Sequence, residues 1–173
     1  MKTMIDTQEV LQKYINSHKR LPELEINVPT FSVFFDPKSG FVHWMREFCQ
    51  DKTVVDCGCG RGQTTAVLRH SGLNVVAIDL NGADCPLIKD IHFMDAVFFP
   101  YSPNYVAMMC RPCRGEWIHA TIVKAIESGA KFVYVGKEEH YNADLAPLPY
   151  KVERVLTDAG LQNESVWVIS KED

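Results

Sequence analysis

The residue types best suited to chemistry gather in one stretch, Asp56-Cys57-Gly58-Cys59-Gly60-Arg61-Gly62, which follows an apolar run and precedes a helical pattern. Glycines at alternate positions let the backbone turn sharply and let a ligand come close to it, because no Cβ stands in the way. A dinucleotide-binding turn would place its third glycine at position 63, where Gln63 stands. Two more acids end later apolar runs, Asp79 after Ala77-Ile78 and Asp95 after Phe93-Met94, each a hydrogen-bond acceptor at a strand end. A second group comprises Cys110-Arg111-Pro112-Cys113-Arg114 and, further on, Glu138, Glu139 and His140. A cysteine flanked by cations can become a nucleophile, and Glu or His can hold a proton for it.

These residues need strand ends to position them, and the chain supplies an alternation of strands and helices. Apolar runs at Thr53–Asp56, Asn74–Leu80, Ile91–Met94, Tyr105–Cys110, Lys131–Val135 and Glu164–Ser170 predict six strands. Helices are expected from Asp36-Pro37 through Phe41, Trp44, Met45 and Phe48, then at Gln63–His70, Glu116–Ser128 and Lys151–Ala159, the last stopped by Gly160. Most strands are continuously apolar rather than alternating, the pattern of a mainly parallel sheet covered on both faces. Residues 1–35 read differently. An amphipathic helix is expected at Thr7–Ser17, with Val10, Leu11, Tyr14 and Ile15 on one face and Asp6 and Glu9 as a capping box. Pro22 and Pro29 then predict an extended arm from Leu21 to Phe35, its Phe31, Phe34 and Phe35 suited to closing over a ligand. Residues 36–173 form the domain proper.

Acidic-x-Gly-x-Gly-x-Gly after the first strand, with acids ending strands two and three, resembles the motifs of class I S-adenosylmethionine-dependent methyltransferases over about residues 40–136. The resemblance implies a Rossmann-like α/β fold, a mainly parallel sheet of about six strands with helices on both faces. The final helix leaves thirteen residues after Gly160, so the family's C-terminal antiparallel hairpin is expected to be short or incomplete. S-adenosylmethionine is the implied cofactor, bound through Asp56, Gly58, Cys59, Gly60, Gly62, Asp79, Leu80, Asp95, Ala96 and Cys110. Within that set, Asp79 would accept from the ribose hydroxyls, Asp95 from the exocyclic amine of adenine, and the Ala96 amide would donate to the ring.

The acceptor side is less distinctive. Pro112-Cys113 resembles the Pro-Cys of enzymes that methylate carbon 5 of cytosine, which would make Cys113 a nucleophile activated by Arg111 and Arg114, with Glu138 or Glu139 holding the base. His140 is an alternative base for an oxygen or nitrogen acceptor. Cys57, Cys59, Cys110 and Cys113 would meet at neighbouring strand ends, but a metal there would compete with the cofactor, so no metal is expected.

Composition narrows the partners. The 173 residues are 46 % hydrophobic and 23 % charged, which suits a single folded domain and excludes disorder or a disulfide miniprotein. A net charge of −4 offers no general attraction for a phosphate backbone, despite a basic excess between Arg111 and Lys137. Tyr105–Cys110 is the longest apolar run outside the N-terminus, too short for a membrane span. With no apolar core behind Met1-Lys2-Thr3, a cytoplasmic protein with reduced thiols is expected. The primary expectation is a methyltransferase for a small-molecule acceptor. Two alternatives are a cytosine carbon-5 enzyme using Cys113, and a non-catalytic cofactor-binding module or partner subunit.

Overall fold

Runs such as Val54-Val55, Val106-Ala107-Met108-Met109 and Phe132-Val133-Tyr134-Val135 are fully buried, so both of their faces must be covered. The computed structural model describes residues 4–18, 35–80 and 88–173 and shows how. Seven strands form one sheet: β1 (Thr53–Cys57), β2 (Val75–Asp79), β3 (Ile91–Phe93), β4 (Tyr105–Cys110), β5 (Lys131–Gly136), β6 (Lys151–Leu156) and β7 (Ser165–Ser170). Their order is β3-β2-β1-β4-β5-β7-β6. Strands β1 to β5 pair in parallel, and β7 runs antiparallel to both β5 and β6. Strand order reverses between β1 and β4, the point beyond which open parallel sheets bind ligands at their carboxyl ends.

The pleat sorts each strand between two layers. Val54, Val106, Met108, Val133 and Val166 face Phe41 and Met45 of helix α2 (Ser39–Cys49) and Leu68 of α3 (Gln63–His70). Val55, Ala107, Met109, Phe132 and Trp167 face Ile118, Ile122 and Ala125 of α4 (Trp117–Glu127). Helix α1 (Thr7–His18) then lays Tyr14 and Leu11 against Ala120 of α4 and against Val97, in the short 3-10 turn Ala96–Phe98. Asp6 caps α1 as expected, its Oδ1 accepting from the Gln8 and Glu9 amides at 3.0 and 3.1 Å. Of the expected arm, residues 21–34 lie outside the described residues. Phe35 is buried and meets Phe41 edge-on, with ring centroids 5.1 Å apart.

Three local expectations are corrected. Lys151–Ala159 is not a helix; its first six residues are strand β6, and with β7 they complete the antiparallel pair. Val152, Val155 and Leu156 have helical spacing in sequence, but a register shift between Arg154 and Leu156 inserts an extra residue into the ladder. Val152 therefore packs on the α4 face while Val155 and Leu156 pack on the α2 face. Nor does Gly160 stop a helix: a Cβ there would run into Glu164 and Phe35, and the residue bridges to Pro37. Asp36-Pro37 does not open α2, which starts at Ser39, and the Asp36 carboxylate instead accepts from Gln63 Nε2 at 2.9 Å. Between β5 and β6 a single helical turn, Glu138–His140, continues as a π-helical turn, Tyr141–Leu145, that buries Leu145. Among the described residues no helix is long and apolar enough to cross a membrane.

Trp167 joins β7 to this edge, with Tyr141 stacked on it at 5.5 Å and the Arg154 guanidinium 5.3 Å from its ring centre. Trp167→Ala is expected to lower the unfolding free energy by about 3–5 kcal/mol in urea titrations. A loss below about 1 kcal/mol would show that the hairpin carries little of the core's stability.

Candidate functional site

Where β1 ends, the chain enters three left-handed residues, Gly58, Gly60 and Gly62, with φ of 74°, 55° and 77°. Side chains with a Cβ rarely take that conformation, at a cost of roughly 1–2 kcal/mol each. The turn is tied to the next strand, since the Gly58 and Cys59 amides both donate to the Ile78 carbonyl, at 2.8 and 2.9 Å. Gly62 N–H closes the turn onto the Cys59 carbonyl at 2.9 Å and leads into α3. Beneath it, Thr65 of α3 donates to Asp56 Oδ2 at 2.6 Å. Asp56 is 2 % exposed, and burial pushes its carboxyl up to about 6 although the Thr65 bond opposes the shift. Gly58 and Gly60 are exposed above this buried anchor.

The other two acids come at the end of β2 and just after β3, both strands on the same side of β1. Asp79, at the end of β2, accepts from the Gly60 amide at 2.8 Å, and Leu80 beside it is exposed. Asp95 caps the 3-10 turn after β3. Its Oδ1 accepts from Val97 N–H at 3.1 Å and its Oδ2 from the Tyr14 hydroxyl of α1. Ala96 is buried, and its carbonyl accepts from the Tyr101 hydroxyl at 2.8 Å. Tyr101 Oη lies 3.2 Å from Cys57 Sγ, where burial lifts the thiol to about 12. Hydrogen bonds through Ile78, Asp79 and Tyr101 thus join the end of β1 to the ends of β2 and β3.

Sequence reasoning missed Trp117. Its ring lies against Gly58, where a Cβ would stand 3.0 Å from Cη2, and its Nε1–H donates to the Cys113 carbonyl at 3.0 Å. The available signal was Gly115, since a Cβ there would also meet this ring, 2.8 Å from Cδ1.

The acceptor side is dispersed. Cys110, half-buried at the end of β4, has its thiol raised well above the usual range by burial, with Asp56 and Cys57 nearby adding to the effect. Arg111 takes a left-handed turn, φ 46°, and sends its guanidinium to Gln162 Oε1 at 2.9 Å, with Glu164 Oε1 at 3.7 Å. Of the two cations expected to activate Cys113, Arg111 therefore points to the loop before β7, and Cys113 itself is exposed. Glu138 is exposed and paired with Arg154. His140 Nδ1 accepts from the Lys137 amide at 2.8 Å, which puts the neutral ring's proton on Nε2, and burial lowers the ring's pKa. Among the described residues no hydrogen bond joins Cys113 to Glu138 or His140, and no group of three or more Cys, His, Asp or Glu is arranged to hold a metal.

No family model matches the sequence, and no curated protein is similar to it. Solved structures are similar in fold. The magnesium protoporphyrin IX methyltransferase of Synechocystis, solved with S-adenosylmethionine bound, superposes with a TM-score of 0.52 at 13 % identity, covering 99 % of this chain and 100 % of that one. The chain has the class I methyltransferase fold. A Burkholderia thailandensis 1,6-didemethyltoxoflavin-N1-methyltransferase with bound substrate and S-adenosylhomocysteine gives 0.54 at 14 % identity, covering 98 % and 92 % of the two chains. A chain of an E. cuniculi complex that methylates a translation termination factor gives 0.53 at 17 % identity, covering 77 % of this chain and 93 % of that one.

In this class I sheet the glycine turn and the buried acid make two tests. Gly60→Ala meets no neighbour within 4 Å whereas Gly58→Ala meets Trp117, so both carry left-handed strain but only Gly58→Ala adds a clash. Thermal unfolding is expected to rank wild type above Gly60→Ala above Gly58→Ala, with roughly 1 kcal/mol lost at the first step. Asp56 binds its proton more tightly folded, near 6, than at its ordinary 3.8. Its stabilising contribution is then full below pH 3.8 and lost as the pH rises to about 6. Asp56→Asn should remove that slope, so that urea unfolding of variant and wild type diverges between pH 4 and 7 by on the order of 3 kcal/mol. A constant difference would show that burial does not perturb this acid.

Proposed function

We propose that the chain binds S-adenosylmethionine across the carboxyl ends of β1, β2 and β3 and transfers its methyl group to a small-molecule acceptor held beyond β4 and β5. The observation that carries this reading is the glycine turn at the switch point, with Gly58 and Gly60 exposed, Asp79 bonded to the Gly60 amide and Asp95 following the next strand over, β3. A Cβ at Gly60 would project into open space, so that side of the turn can receive a ligand. Two carboxylates suit a cofactor that presents ribose hydroxyls and an adenine amine. Solved neighbours of the same fold carry S-adenosylmethionine or S-adenosylhomocysteine.

In this reading Asp56, through Thr65, keeps the turn in shape, while Gly58, Cys59, Gly60 and Gly62 present backbone to the methionine part. Asp79 and Leu80 hold the ribose, Asp95 and Ala96 the adenine, and Cys110 closes the floor at β4. The bound cofactor supplies a methyl group on a sulfonium, a good leaving group. Alignment of the acceptor then matters more than proton transfer. That suits an acceptor side whose ionisable groups are already engaged: Glu138 by Arg154, His140 Nδ1 by the Lys137 amide, and Asp144 by Tyr134. His140 Nε2–H can orient an acceptor oxygen or nitrogen as a donor.

The same engagement favours a second reading, a cofactor-binding subunit that relies on a partner for catalysis. Cytosine methylation through Cys113 draws less support, because Arg111 is committed to Gln162 and Glu164.

Titration calorimetry with S-adenosylhomocysteine tests the shared premise, and wild type is expected to bind while Asp79→Ala binds at least about tenfold more weakly, a change of about 1.4 kcal/mol. Absence of binding by wild type would overturn the reading. Transfer of a radiolabelled methyl group into a metabolite fraction, unchanged in Cys113→Ser, is the expected outcome. Label in nucleic acid that disappears with Cys113→Ser would establish the cytosine route instead.

A further inference from the structure

Asp95 is held from two sides. Val97 N–H, one turn along, binds Oδ1, and the Tyr14 hydroxyl, from a helix 81 residues earlier in the chain, binds Oδ2. An aspartate χ2 torsion is broad and roughly two-fold, so a carboxylate gripped at one oxygen alone swivels readily. One donor on each oxygen fixes its plane and leaves each oxygen a further lone-pair direction for a ligand donor. The Tyr14 ring is 4 % exposed and packed on Val97 and Ala120, with Leu11 and Trp117 beside it, so the hydroxyl is itself held in place. Burial and the neighbouring Asp95 carboxylate move its ionisation well above the ordinary range, which keeps it a donor. At the other end of α1, the Ile5 amide donates to the Pro147 carbonyl at 3.3 Å. Helix α1 is thus tied to the rest of the fold at Ile5, just before its first turn, and at Tyr14, in its second half.

Resting on the proposed cofactor, we infer that Tyr14 is a positioning residue for the adenine end: its hydroxyl sets the Asp95 carboxylate to accept from an exocyclic amine and to reject a 6-oxo purine, which would set a carbonyl oxygen against it. Helix α1 thereby becomes part of cofactor selection although it carries none of the recognised motifs.

Calorimetry on the full chain with S-adenosylhomocysteine and with its 6-oxo analogue, S-inosylhomocysteine, tests this. Wild type is expected to prefer the adenosyl compound by at least about tenfold. Tyr14→Phe keeps the ring packing and removes one hydroxyl; it should weaken S-adenosylhomocysteine binding roughly three- to tenfold, the scale of one hydrogen bond to a charged group partly replaced by water. Affinity for the inosyl analogue should change less than about twofold, so the preference narrows. In an Asp95→Asn background, Tyr14→Phe should have no further effect on the preference, because Tyr14 acts through Asp95. Saturating S-adenosylhomocysteine should also raise the Tm of Tyr14→Phe less than that of wild type. A preference left intact in Tyr14→Phe, or both ligands weakened equally, overturns the positioning role. Failure of wild type to bind S-adenosylhomocysteine at all overturns the cofactor reading itself and the inference with it.

Discussion

One carbonyl oxygen organises the switch point. Ile78 O accepts from both Gly58 N–H and Cys59 N–H, so the turn after β1 is bonded directly to the end of β2. Glycine suits this point because Gly58, the residue between those two amides, is left-handed, a conformation that costs glycine no Cβ clash. Everything else at the switch point is built around that junction. Thr65 and buried Asp56 secure it from below, the Gly60 amide draws in Asp79 from the side, and Trp117 packs against Gly58 from above.

The parallel half of the sheet therefore presents a preorganised edge, and its polar groups satisfy one another before any ligand arrives. An unpaired carboxylate there would be costly to bury. Asp56 shows the tension most clearly: burial pushes its carboxyl up to about 6 although the Thr65 hydroxyl bond opposes the shift, the balance expected when desolvation exceeds one hydrogen bond. Asp79 and Asp95 lie nearer the surface and brace the turn and α1 respectively.

The other half follows different rules. Beyond β4, Arg111 turns away through a left-handed residue and reaches Glu164, which is fully buried at the start of β7. This ion pair ties the end of β4 to the antiparallel hairpin. Tyr141, Trp167 and Arg154 stack across β6 and β7, so the acceptor-side turn rests on the hairpin rather than on a helix.

Local order in the amino-acid sequence determined most of the sheet. Continuous apolar runs marked β1, β2, β4, β5 and β7, and the glycine spacing marked the tight turn after β1, because both signals are carried by neighbours along the chain. Strand β6 was hidden, since its bulge gives Val152, Val155 and Leu156 helical spacing and only pairing with β7 reveals a strand. Tyr14 was legible as a core residue of an amphipathic helix, but its hydroxyl partner lies 81 residues away. Arg111 looked like a neighbour of Cys113 until the fold brought Glu164 beside it. Tertiary structure alone decided these three, because each depends on a contact between segments distant in sequence, where periodicity and spacing carry no information.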